Sequence, residues 1–230
     1  MALIGNTSKL LEERKYLREG EVELSERSFN LIIGAVLLWG FLLNYLMVTL
    51  FGRQITQMVE SMGVIGFLIG YFVLVIIGSI MIGKKSAALS FIGYNLIALP
   101  IGVVVCACVD GVPVSTVQSA MLVTAIVTLS FMILASIFPG FFLSMGRAIG
   151  VSLLVAIGAE LISMFILRRH SEIFEWIFVA IFSMYIGFDW ARANTCARTV
   201  DNAVDLAASL YLDIINLFLS ILQIMSKHRD

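Results

Sequence analysis

Apolar stretches close to the length of a bilayer crossing divide this chain, and polar or charged residues gather between them. The runs are 29–51, 62–83, 87–109, 115–138, 148–167, 173–190 and 206–225. A spanning helix needs about 20 mostly apolar residues. No run shows the strict alternation of a half-buried strand, and an open sheet leaves backbone groups unpaired in lipid, so the pattern predicts helices. The expected fold class is all-α: an integral membrane bundle of seven transmembrane helices with short linkers and antiparallel neighbours. The expected organisation is a polar tail over 1–28, a seven-helix domain over 29–225 and a short polar tail over 226–230.

Local chemistry sharpens the boundaries. Lys84 and Lys85 close the second run, and Arg168, Arg169 and His170 close the fifth. Pro100 removes an amide donor inside the third run and predicts a kink there. Asp110, Gly111 and Pro113 read as a turn. Pro139-Gly140 ends the fourth run, which leaves Phe141 to Gly146 as a short interfacial connection or a frayed extension of the fourth helix. The seventh run is the weakest, because Asp213 and Asn216 lie inside it.

Composition agrees with this reading. Apolar residues make up 60% of the chain and charged residues 13%, where soluble domains run nearer about 45–50% and about 25%. The mean hydropathy of +1.00 does not fit a water-exposed surface. A net charge of −1 gives no basis for binding a polyanion, so nucleic acid is not an expected partner. Cys106 and Cys108 sit in an apolar run without metal-ligand spacing and read as small core residues; with Cys196 they imply no disulfide framework. The first 28 residues are mixed in charge, with Glu12, Glu13, Arg14, Lys15, Arg18 and Glu19 among them. They read as a solvated or interfacial helix rather than a cleavable signal peptide.

The distribution of Lys and Arg sets the expected orientation. With the amino terminus in the cytoplasm, ten of the 15 fall on the cytoplasmic side. Arg53, Arg168, Arg169, Lys227 and Arg229 fall on the other.

Three acids inside the runs carry the chemistry: Glu160, Asp189 and Asp213. An ionisable group in lipid costs several kcal/mol unless it is paired or wet, and no Lys or Arg lies inside a run to neutralise these. Asp189 ends the sixth run and Asp213 lies about two turns into the seventh, so both fall toward the cytoplasmic side of adjacent antiparallel helices. Two carboxylates that close can share one proton and titrate in two separated steps. Deprotonation would create repulsion and push the helices apart, which makes the pair a proton sensor. Asp201 and Asp205 read as negative charge placed favourably at the start of the seventh helix. Asn44, Asn95 and Asn216 read as hydrogen-bonding between helices, and Tyr211 and Trp190 as interfacial anchors.

Enzyme signatures are missing. His170 and His228 lie in a loop and a tail, there is no HExxH helix or GxSxG elbow, and no Gly-rich loop follows a strand. The chain is therefore read as a non-enzyme with no cofactor. Two aspartates on consecutive helices are also the arrangement of presenilin-type aspartyl proteases. Asp189 follows Gly187-Phe188, but Asp213 follows Tyr211-Leu212 rather than a GxGD sequence, and no Pro-Ala-Leu motif comes after it.

The stretch Ala207-Ala208-Ser209-Leu210-Tyr211-Leu212-Asp213-Ile214-Ile215-Asn216-Leu217-Phe218 resembles the final-helix signature of the Bax inhibitor-1 family, also called TMBIM or YccA-like. Tyr185-Ile186-Gly187-Phe188-Asp189 resembles the end of that family's sixth helix. The resemblance implies a seventh helix wrapped by six others and a pH-sensitive calcium leak gated by the pair Asp189 and Asp213. Calcium would then be the transported ion, weakly held by those two residues, with Glu160 lining the path. It also implies a basic latch on the second helix; Ile82 stands near that position, with Lys84 and Lys85 close by. Expected partners are the lipid bilayer, calcium ions, protons and other membrane proteins, in a prokaryotic cell membrane with the amino terminus in the cytoplasm. The alternatives are an intramembrane aspartyl protease and a non-conducting regulator that binds other membrane proteins.

Overall fold

The computed structural model describes Arg14, residues 16–17, 21–82, Lys84, 86–166 and 172–227. Among these residues every regular element is a helix, and seven helices are long and apolar enough to cross a membrane. They are α1 (Glu26–Gly63), α2 (Ile65–Ile82), α3 (Ala87–Val109), α4 (Val114–Ile137), α5 (Pro139–Phe165), α6 (Ile173–Ala193) and α7 (Val200–Lys227). The chain forms two compact units. The first comprises residues 1–110 and 195–209, and the second residues 111–194 and 210–230.

In the first unit, Ser25 starts α1 by accepting the Ser28 amide at its hydroxyl, 3.1 Å away. The helix has 38 residues, about 57 Å at 1.5 Å per residue, nearly twice the roughly 30 Å apolar thickness of a bilayer. The surplus is the stretch 52–63, of which 52–61, with Arg53, Gln54, Gln57 and Glu60, is left as a linker by the hydropathy pattern. It contains no proline, so helical hydrogen bonding outlasts the apolar run. The break comes at Gly63, whose φ of 72° and ψ of 157° are open to glycine and strained for other residues. Polar contacts tie α1 to α3. The Trp39 indole donates to Asn95 Oδ1 at 2.9 Å, and the buried Tyr94 hydroxyl donates to the Val36 carbonyl at 3.1 Å. Asn95 thus bonds between helices as its position suggests. Pro100 lies inside α3, close to the buried Ile97 and Ile101. Cys106 is buried, whereas Cys108 and Cys196 are half-buried; all three are thiols.

In the second unit, α5 opens with Pro139 in its first turn. Proline's fixed φ and missing N–H suit that position. Phe141 to Gly146 therefore belongs to α5 and is neither a separate interfacial connection nor an extension of α4. Ile149, Ala156, Phe178 and Ile181 form a core between α5 and α6, with Met145, Tyr185 and Phe188 packed against it. Two glycines let these helices close. A methyl at Gly187 would fall inside the Phe142 ring, and one at Gly146 inside the Phe188 ring. The Trp190 indole donates to Ser136 Oγ at 2.9 Å, joining α6 to α4.

α7 starts six residues before its apolar run. Thr199 Oγ1 accepts the Asn202 amide at 3.2 Å, an N-cap that carries Asp201, Asn202 and Asp205 into the first turns. Of its most apolar window, 56% is buried, against 6% for α2. Tyr211 is fully buried (0% exposed), which overturns its reading as an interfacial anchor; the helix is too thoroughly covered there for its ring to reach a lipid headgroup.

Candidate functional site

The acids at positions 189 and 213 meet. Asp189 stands on α6 just after the Gly187–Phe142 contact, and Asp213 stands on the part of α7 that belongs to the same unit. Both are buried, at 5% and 8% exposure. Their carboxyls are in side-chain contact within hydrogen-bond and charge range of each other. Tyr185, one turn before Asp189, lies in electrostatic range of both.

A cation completes the group. Arg192 Nη1 lies 3.3 Å from Asp189 Oδ1, one turn further along α6, and within charge range of Asp213. The same guanidinium lies 5.9 Å from the centre of the Phe188 ring. No basic residue lies inside an apolar run, yet one reaches the pair from beyond it. The apolar run ends at Trp190, but α6 continues through Arg192 to Ala193. With one shared proton the trio carries one negative and one positive charge.

Glu160 belongs to a different group. It is half-buried on α5 and interacts with Glu175, a 3%-exposed acid in the first turn of α6. Lys227, at the end of α7, faces Glu175 electrostatically, and its Nζ is buried without a hydrogen bond among the described residues. Asp189 lies fourteen positions beyond Glu175 on the same helix, about 21 Å away. The second unit therefore holds two polar stations along α6, and Glu160 serves the one without the aspartate pair.

Of the suggested latch lysines, Lys84 is exposed and Lys85 lies outside the described residues, as do Arg168, Arg169, His170 and His228. Asn216 donates to the Leu212 carbonyl of its own helix at 2.8 Å. Among the described residues no group of three or more His, Cys, Asp and Glu side chains is placed to hold a metal ion.

The first unit contains a third group. Asp201 and Asp205 are buried near Ser90 of α3, and Arg14 forms an ion pair with Asp205. Asp201, in the first turn, keeps the favourable position relative to the helix dipole. Asp205, one turn later, depends on Arg14 instead. Nothing local in the sequence links residue 14 to residue 205.

These features define a multi-pass helical membrane protein with two buried carboxyls in contact beside an arginine. The chain belongs to the family described as inhibitor of apoptosis-promoting Bax1, whose model matches residues 24–230. That is the Bax inhibitor-1, YccA-like group, generally made up of non-enzymatic membrane proteins. Two proteins of Helicobacter pylori, from strains 26695 and J99, are each 34% identical to this chain over 91 residues and are described only as uncharacterized. The matched segment covers 38% of this chain and 37% of each relative.

Proposed function

We propose that this protein is a proton-regulated cation leak channel, with calcium as the transported ion, gated where Asp189, Asp213 and Arg192 meet. The observation that carries the reading is the contact of two buried carboxyls on α6 and α7 with a guanidinium 3.3 Å from one of them. With one proton the trio is neutral and mutually bonded. Removing that proton leaves two like charges in contact, and adding a second removes the charge that holds Arg192. Either change weakens the tie between the end of α6 and α7. The leak is therefore smallest at intermediate pH and rises on both sides.

Arg192 serves here as the latch. Calcium prefers six to eight oxygen ligands. A pair of carboxyls supplies only part of that shell, which suits a hydrated, weakly held ion in transit. Glu160 and Glu175 form the second station of the path. The seventh helix is largely buried and carries Asp213. The amino terminus faces the cytoplasm of a prokaryotic cell.

The aspartyl protease reading needs both carboxyls free to activate a water with one shared proton. Arg192 engages an oxygen of Asp189, which favours the gate. The test is calcium influx into sealed liposomes that hold the purified protein. Influx well above protein-free liposomes is expected, and none at any pH contradicts the proposal.

A further inference from the structure

Arg14 holds the start of α7 with both its backbone and its side chain, inside the first unit. Its carbonyl accepts from the Ala197 amide at 3.0 Å and from Asn202 Nδ2 at 3.3 Å. Its guanidinium pairs with Asp205 Oδ2, reaches Asn202 Oδ1 at 3.4 Å and donates to the Ile82 carbonyl at 3.5 Å. Ile82 is the last residue of α2, where the closing carbonyls of a helix lack amides of their own turn and favour a cation. One residue therefore ties together the end of α2, the connector 194–199 and the first turns of α7. A second tie lies on the neighbouring residue of the connector. The Leu24 amide donates to the Arg198 carbonyl at 2.7 Å, and Arg198 Nη2 lies 3.8 Å from Glu26 Oε2 at the start of α1.

The connector held in this way joins the two helices that carry the gate. It follows α6 directly after Arg192 and Ala193. Asp213 stands eight positions beyond Asp205 on α7, about 12 Å away. The side chains of Arg14 and Asp205 are 19% and 3% exposed, so water screens their pair less than it screens a surface pair. Removing the guanidinium leaves a buried carboxylate without its cation.

We propose that Arg14 is a positioning residue for the gate: it pins the connector and the start of α7, and the gate opens only as that grip loosens. This rests on the channel reading above. A contact shifts an equilibrium between two states only if it is made better in one of them. A grip kept equally in both states steadies the fold and leaves the leak alone, whereas a grip lost on opening adds to the closed state.

The test is calcium influx into liposomes holding the full chain, for wild type, Arg14→Gln and, as a variant of the gate itself, Arg192→Gln. A second readout needs no conduction. It is the rate at which a maleimide labels Cys196, half-buried in the connector beside Ala197, with Cys106 and Cys108 replaced by alanine. Arg14→Gln is expected to raise influx at the pH of the wild-type minimum by about tenfold and to speed Cys196 labelling several-fold. Arg14→Lys keeps the charge but not the planar fork and falls between. Arg14→Gln also lowers the unfolding midpoint. Adding Asp205→Asn removes the stranded charge, so the midpoint recovers while influx stays high; if Arg14→Gln does not fold, the influx of this double variant decides alone. Influx that returns to the wild-type level in the double variant makes Arg14 a structural part only and overturns the inference. So does an unchanged Cys196 rate in Arg14→Gln. Unchanged influx in Arg14→Gln beside raised influx in Arg192→Gln overturns it too and leaves the gate standing. No influx from any of these proteins overturns the gate, and the positioning role falls with it.

Discussion

Arg192 reaches back one turn along α6 to place Nη1 3.3 Å from Asp189 Oδ1, while Asp189 meets Asp213 of α7. The cation that balances the aspartate pair thus comes from the helix that carries one of its members. Both partners sit largely out of water, so the contact is worth more than a surface pair, which typically contributes about 0–1 kcal/mol.

Arg192→Gln leaves the aspartates in contact without their cation. The closed contact is expected to weaken by about 1.4 kcal/mol, a tenfold change in the gate's equilibrium. Calcium influx at the pH of the wild-type minimum should rise by roughly that factor. Arg192→Lys, which keeps a compact charge but not the fork, should fall between the two. Influx unchanged in Arg192→Gln would place the guanidinium outside the gate.

Thr199→Ala removes the hydroxyl that receives the Asn202 amide at the start of α7. The expected cost is about 1 kcal/mol, a fall of about 2–4 °C in the unfolding midpoint followed by circular dichroism. Thr199→Ser keeps the cap and should stay close to wild type.

Gly187→Ala drives a methyl into the Phe142 ring two residues before Asp189. Overpacking of this kind costs about 1–3 kcal/mol. The midpoint should fall, and the leak should lose its pH minimum, because α6 must shift where it carries the gate. Adding Phe142→Leu should restore part of both. Two independent, additive losses would mean that the glycine has another role.

Much of this was legible in the sequence. Lipid admits only apolar, internally bonded segments, so seven helices follow from hydropathy alone, and Asp189 and Asp213 stand out because lipid rejects them. Hydropathy reports the membrane and not the helix, however. It stops at Phe51, Trp190 and Leu206, whereas backbone hydrogen bonding continues through Gly52–Glu60 and Arg192 and begins already at Val200. That is why Arg192 looked like a loop residue and Asp205 like a charge placed only to suit the helix dipole. Glu175 with Lys227, and Arg14 with Asp205, are pairs formed only by folding. Each member alone reads as an ordinary charge near a helix end.

The decisive measurement is the pH profile of calcium influx in liposomes, from about pH 5 to about pH 9, for wild type beside Asp213→Asn. The wild-type profile is expected to pass through a minimum. Asp213→Asn cannot place a second negative charge beside Asp189, so the rise on the alkaline side should disappear. The rise on the acid side, which comes from releasing Arg192, should persist. A wild-type leak that does not vary with pH, or an Asp213→Asn profile that matches wild type on both sides, would contradict a gate built on these three residues.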